Sequence, residues 1–149
     1  MKFFVSETVA KLAKKYGFDE PCLTFGGDDV KIGELLPIDE SSLYSNSGLD
    51  KNFSQLNPFA GPTFEQLRMW FVKKHGIWVE TAPLKVSTGA VEGIRYTWGV
   101  YSFNNEDLHI VDETPLGYLD FFEAYNIAFE NAFKLMEKQK KIDEIIKSN

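Results

Sequence analysis

One cysteine and two histidines are all that 149 residues offer for thiolate or imidazole chemistry. A single Cys22 excludes an intrachain disulfide framework and a multi-thiolate metal site. No apolar run approaches the roughly 18 residues that a membrane-crossing helix needs, so no membrane partner is expected. The start has only Phe3, Phe4 and Val5 in succession before Ser6, too few for the core of a secretory signal. We therefore expect a soluble, cytoplasmic chain. Gly26-Gly27 is followed by Asp28 and Asp29, which would repel phosphate, and no Gly-Lys-Ser or Gly-Lys-Thr occurs. A nucleotide loop is thus excluded, as is a Gly-x-Ser-x-Gly nucleophile elbow, which the chain also lacks. Bases are outnumbered 16 to 22, giving a net charge of −6. That balance argues against direct nucleic-acid binding, which needs clustered Lys and Arg.

Apolar residues are plentiful: 44% of the chain, with thirteen Phe. This suits one buried core, and the length predicts one α+β domain over residues 1–149. Ser6 caps an expected helix at about 6–16, in which Val9, Leu12, Ala13 and Tyr16 share a face and Gly17 supplies the stop. Residues 22–25 and 31–36 flank the turn Gly26-Gly27-Asp28-Asp29 and read as a β-hairpin. An irregular loop comes next at about 37–61, with room for a short helix near Leu49 to Leu56. Thr63 and Gln66 fit a capping box opening a helix to about 75, with Phe64, Leu67, Trp70 and Phe71 as its stripe and Gly76 after it.

Strands are expected at 77–81 and 94–103, with 84–88 continuing or duplicating the first and 108–111 adding a third. Short links imply an antiparallel meander. Asp120 and Glu123 open a long final helix whose stripe runs from Phe121 through Tyr125, Ala128, Phe129, Ala132 and Phe133 to Met136. Its charged tail, about 137–149, keeps a separate apolar set in Ile142, Ile145 and Ile146. The helices should pack on one face of the sheet.

Charge falls in blocks. Residues 18–65 and 104–133 each carry −7, while the remaining stretches are net positive. If the two acidic blocks meet, they form a face that receives a basic partner or imitates nucleic acid; the plainer reading is a solvated surface. The binding candidates are Asp28, Asp29, Glu106, Asp107, His109, Asp112 and Glu113. Asn105, Asp107 and His109 alternate, so on a strand they would face one way, with Asp112 and Glu113 nearby, and two carboxylates with an imidazole can hold a metal. No second His occurs at i+4, and the same pattern describes a polar edge strand. We assign no metal, no cofactor and no catalytic residue. Cys22 with His75 or His109 is the thiolate pairing available, but its place after Pro21 at the start of an apolar run favours an inert thiol. His75 is read as capping a helix C-terminus. Trp70, Trp78, Trp98, Tyr96 and Tyr101 are either core or, in part, a stacking platform.

Gly17-Phe18-Asp19-Glu20-Pro21-Cys22, Ala60-Gly61-Pro62-Thr63, Trp70-Phe71 and Lys74-His75-Gly76-Ile77, closed by Tyr118, Phe121, Glu123 and Ala124, form a pattern. It resembles a family of small proteins found in phages and mobile elements of gut Bacteroidales. The chain departs from that family at Gly61, where Ala is usual, and at Val72, where Arg commonly comes after the aromatic pair. The resemblance supplies context and assigns no chemistry. From the acidic blocks, the long loop, the charged tail and the missing catalytic set we expect a non-enzymatic accessory protein of a phage or mobile element that binds a host or phage macromolecule, a protein above all. A small-ligand or enzymatic site around His109, Asp107 and Cys22 is the alternative, and self-association through the C-terminal helix a third reading.

Overall fold

Ser6 opens the first helix as its sequence requires: its hydroxyl accepts from the Val9 N–H at 3.2 Å, and α1 runs Glu7–Lys15. Gly17, at φ +92°, stops it, with Phe18 N–H donating to Ala13 O at 2.9 Å and Gly17 N–H to Lys14 O at 3.1 Å. A left-handed residue closing those two bonds is the usual glycine stop. The computed structural model describes residues 3–37, 39, 42–88, 91–114 and 117–148. Met1, Lys2, positions 38, 40 and 41 of the expected loop, and Asn149 of the expected tail lie outside the described residues. The chain divides into two compact units, residues 1–67 and 68–149.

In the first unit, β1 (Thr24–Gly26) pairs antiparallel with β2 (Phe59–Gly61), 35 residues on. This differs from the hairpin expected between 22–25 and 31–36. The Gly27–Val30 turn does close a bridge. A second turn then begins at once, with Glu34 N–H donating to Lys31 O at 3.0 Å, so 31–36 leaves the ladder. The space beside β1 is taken by β2, and Gly61 lets the two strands lie close. A Cβ there would lie 2.8 Å from Thr24 Cγ2 and 3.1 Å from Ile32 Cγ2.

The segment read as irregular contains α2 (Asn46–Phe53), and Ser45 caps it by accepting from Gly48 N–H at 3.2 Å. A 3-10 turn, Ser54–Leu56, and Asn57 at φ +47° lead into β2. Asn46 is buried; its amide donates to Phe18 O at 2.6 Å and its carbonyl accepts from Ala60 N–H at 2.8 Å. One side chain thus ties the loop after α1 to α2 and β2.

α3 (Phe64–Trp70) spans the division between units, capped by Thr63, whose hydroxyl accepts from Gln66 N–H at 3.1 Å. Its last turn widens into a π-helical turn, Phe71–His75, ended by Gly76 at φ +61°.

The second unit holds the expected meander. β3 (Ile77–Thr88) is one twelve-residue strand, so 84–88 continues 77–81. It pairs with β4 (Val91–Ser102), which pairs with β5 (His109–Val111). Opposed residues share a face in such a ladder. Ile77 and Ser102, Val79 and Val100, and Thr81 and Trp98 therefore face one way. That side carries α4 (Phe121–Ser148): the Ser102 hydroxyl donates to Gln139 Oε1 at 3.1 Å, and Tyr96 meets Phe121 edge-on at 5.5 Å. Asp120 caps α4 by accepting from Phe122 N–H at 2.8 Å.

Trp70, 4% exposed, lies against Phe71, His75 and Phe133, and Phe71 stacks on Phe129. The Trp70 ring is core. β3 forms an outer edge of the sheet, and Pro83 and Lys85 break it up as a template for stray pairing.

Two substitutions test this packing. Gly61→Ala should cost about 1–3 kcal/mol, because Thr24 and Ile32 must shift in a filled site. Trp70→Ala should cost about 3–5 kcal/mol, the range for an emptied aromatic site. Thermal melts of both against the parent check the pair; an unchanged melting temperature in either would contradict the contacts described.

Candidate functional site

The sheet face turned away from α4 carries Trp78, Glu80 and Ala82 on β3 and Tyr101, Gly99 and Thr97 on β4. His109 and Val111 flank them on β5. This face exists because β4 alternates: Tyr96, Trp98 and Val100 turn inward, and their neighbours are left outside.

Gly99 shapes its centre. A Cβ there would overlap the Tyr101 hydroxyl, so the Tyr101 ring lies down across Gly99. Tyr101 hydrogen-bonds Glu80, which also accepts from Trp78 Nε1 at 3.1 Å. Burial, then the Glu80 charge and the bond to it, push the Tyr101 phenol above its ordinary value, so it stays a neutral donor. His109 stacks on Tyr101 at 6.3 Å and 25°. The Arg68 guanidinium lies 5.0 Å over the Trp78 ring.

Beside Tyr101 is a recess of about 150 Å³, lined by Glu80, Ala82, Thr97, Tyr101, Val111 and Asp112. Asp112 is held there by its own backbone and side chain. Its N–H donates to Trp98 O at 3.0 Å, and its two oxygens accept from Thr97 Oγ1 at 3.2 Å and Thr114 N–H at 2.8 Å. The result is a shallow hollow with two carboxylates, a phenol and apolar walls. Such a hollow suits a cationic or hydrogen-bond-donating group that also carries aliphatic surface.

Of the residues singled out in sequence, His109 and Asp112 belong to this face. Glu106 and Asp107 sit in an exposed turn ahead of β5, and Glu113 is exposed just after it. The expected alternation of Asn105, Asp107 and His109 on one strand face does not form. Asn105 Oδ1 accepts from Asp107 N–H at 3.1 Å, and Leu108 N–H donates to Asn105 O at 3.0 Å. That local bonding makes a turn and delays the strand to His109. Among the described residues no group of three His, Cys, Asp or Glu side chains is placed to hold a metal.

Asp28 and Asp29 belong to the first unit, in the exposed Gly27–Val30 turn. Asp28 Oδ2 accepts from Asn57 Nδ2 at 2.8 Å, and Asp29 adopts φ +60°. Both serve the turn.

Cys22 is buried between Glu20 O and Gln66 Oε1, at 3.4 and 3.6 Å. Burial, reinforced by the Glu20 charge, pushes its thiol up to about 12, so it is protonated and inert at neutral pH. A wider recess of about 610 Å³ is lined in part by Lys11, Lys14 and Lys15. Its positive charge is largely answered: Lys14 bonds Asp50 and Pro58 O, and Lys11 pairs with Glu7 at 2.6 Å.

Of the five rings read as core or platform, Trp70 and Trp98 are buried while Trp78 and Tyr101 lie on this face, and Glu80 between them was not singled out. The alternation in β4 is the signal that could have found them, once the covered face is known. No protein-family model, curated protein or solved structure matches the chain.

His75 differs from the cap expected of it. Gly76 N–H closes the π-turn, and the imidazole packs edge-on to Trp70 at 4.6 Å. Burial, then the Lys74 charge, lowers its pKa below 6.5. A depressed imidazole pKa means the unfolded chain binds the proton first. Stability is therefore full above about pH 6.5 and falls as pH drops through the folded value. Melting temperature should decline over that window in the parent, and His75→Gln should flatten the decline. A parent curve unchanged down to pH 5 would contradict this.

Proposed function

We propose that this chain is a non-enzymatic accessory protein of a phage or mobile element. It binds a host or phage macromolecule, a protein, through the outer face of its three-stranded sheet. The observation that carries the reading is the recess beside Tyr101. Trp78, Tyr101 and Val111, the last 43% exposed, stand on an open sheet face together with Glu80, Asp112 and His109. Aromatic and apolar groups interleaved with polar ones on such a face suit protein recognition. The acids favour a partner that presents Lys or Arg, since opposed potentials steer encounter and fix register. The resemblance to phage and mobile-element proteins supplies the context for this reading and no mechanism.

The enzymatic alternative around His109, Asp107 and Cys22 draws little support from the side chains. The thiol is protonated, and Asp107 belongs to a turn whose N–H bonds Asn105. No membrane association is part of the reading: no described helix is long and apolar enough to cross a membrane. Self-association is a second reading, favoured by the exposed Ile142, Ile145 and Ile146 on α4.

The test is capture from lysate of the native host with tagged protein and a tag-only control, repeated with Glu80→Lys and Val111→Asp. One stoichiometric partner should be retained by the parent and bound at least about tenfold more weakly by each variant, equivalent to about 1.4 kcal/mol. Retention should also fall with added salt. An empty capture, or one that both variants reproduce, overturns the reading.

A further inference from the structure

β5 is the second outer strand of the three-stranded sheet, and its two sides differ. Asp112 N–H donates to Trp98 O and Ser102 N–H to Leu108 O, both at 3.0 Å, so the even-numbered residues here turn their backbone to β4. In an antiparallel ladder the residues between them point the other way. The N–H and C=O of His109 and of Val111 therefore line the outer edge, where no described group pairs with them. Both residues are exposed.

The opposite edge, β3, is broken up by Pro83 and Lys85, and β5 carries neither residue type. Charge gathers around it instead. Residues 104–133 hold seven acids and no Lys or Arg. Exposed Glu106 and Asp107 precede the edge, exposed Glu113 follows it, and the recess holding Glu80 and Asp112 opens against Val111.

We propose that a basic, extended segment of a partner protein adds to this edge as a fourth strand, antiparallel to β5. The inference rests on the protein-binding reading above and adds the mode of attachment. An antiparallel segment satisfies the whole edge with two of its residues, each exchanging both bonds with His109 or Val111. Opposed residues share a face, so those two side chains turn to the outer face, where the recess lies. An arginine opposite Val111 lays its methylenes on that valine and its guanidinium towards Asp112. That carboxylate keeps acceptor positions beyond those used by Thr97 and Thr114. The residue between the two turns to the α4 side, next to half-buried Ile110, and is apolar. A second copy of β5 is a poor occupant. Both ends of the edge are acidic, so pairing in either direction sets acid against acid.

The probe is a short labelled peptide in which arginine and valine alternate, titrated against the full chain by fluorescence anisotropy. N-methylation of the arginines removes the N–H groups that face β5 and should weaken binding at least about tenfold. N-methylation of the valines, whose N–H groups face away, should change it less than about threefold. Glutamate in place of arginine should abolish binding. Val111→Pro removes an N–H that the β4 ladder does not use, so the circular dichroism should be unchanged while affinity falls at least about tenfold. In hydrogen exchange read by NMR, the His109 and Val111 amides should slow at least about tenfold with peptide bound.

A peptide that fails to bind, or binds without slowing those two amides, overturns strand addition. So does equal loss from both methylation patterns. Loss confined to the methylated valines overturns the placement of the basic side chains on the outer face, and equal binding of the glutamate peptide overturns the choice of a basic partner. None of these results touches the response of lysate capture to Glu80→Lys, which judges the outer face separately.

Discussion

The carboxamide of Asn46 is the interaction on which the first unit depends. It meets Phe18 O and Ala60 N–H at once, in a site closed to water. Both backbone groups would otherwise be buried without a partner, a cost comparable to a lost hydrogen bond each. With them satisfied, the chain after α1, the start of α2 and the strand β2 are fixed relative to one another. β1 then has a partner strand waiting, and Gly61 lets the two backbones approach. An apolar residue at 46 would fill the same volume but leave both groups bare. A unit rich in turn-forming residues thus holds its shape through one amide, with the apolar packing around Phe18, Leu49 and Phe59 closing over it.

The second unit is organised differently. There the long hairpin and α4 bury a conventional apolar layer: Ile77, Val79 and Val100 against Ala124, Ala128, Phe129 and Ala132. Small alanines on the helix let it lie close to the strands, and the rings of Trp70, Phe71 and Phe133 fill one side of the layer. Because α4 covers one face only, the other is left to whatever side chains the alternation of β4 happens to place there. Gly99 turns that chance arrangement into a shaped surface by letting the Tyr101 ring lie flat. Core and candidate site are two sides of the same register.

Much of this was legible in the residues. Ser6, Thr63 and Asp120 each act within three positions of the helix they open, so local pattern suffices to place α1, α3 and α4. The meander was legible for the same reason, since alternation and short links are local. The pairing of β1 with β2 was not. Gly26-Gly27-Asp28-Asp29 is a good turn and does turn, but the strand that β1 takes as its partner is decided by Asn46 and Gly61, neither of which announces a long-range role. The candidate site was half legible. His109 and Asp112 were marked by their chemistry. Trp78 and Tyr101 stood among five rings that could be core or platform, and Glu80 read as an ordinary strand residue, until the helix determines which face is open. The Asn105 to His109 alternation misled because an Asn side chain can bond its own backbone and make a turn out of a strand-like pattern.

The acidic blocks carry the same lesson about charge. Counted along the chain they suggest a face, yet many of these carboxylates have specific local tasks. Asp19 accepts from Ser47 N–H at the start of α2, Asp28 holds Asn57, Asp50 meets Lys14, and Asp120 caps α4. Such bonds satisfy helix ends and turns that would otherwise need water or another donor. Glu80, by contrast, comes from a stretch of net positive charge and still stands in the recess with Asp112. The useful electrostatic unit is therefore the pair of carboxylates that the register of β3, β4 and β5 brings to one hollow. Net charge per segment counts a helix cap and a binding carboxylate alike; position in the fold separates them.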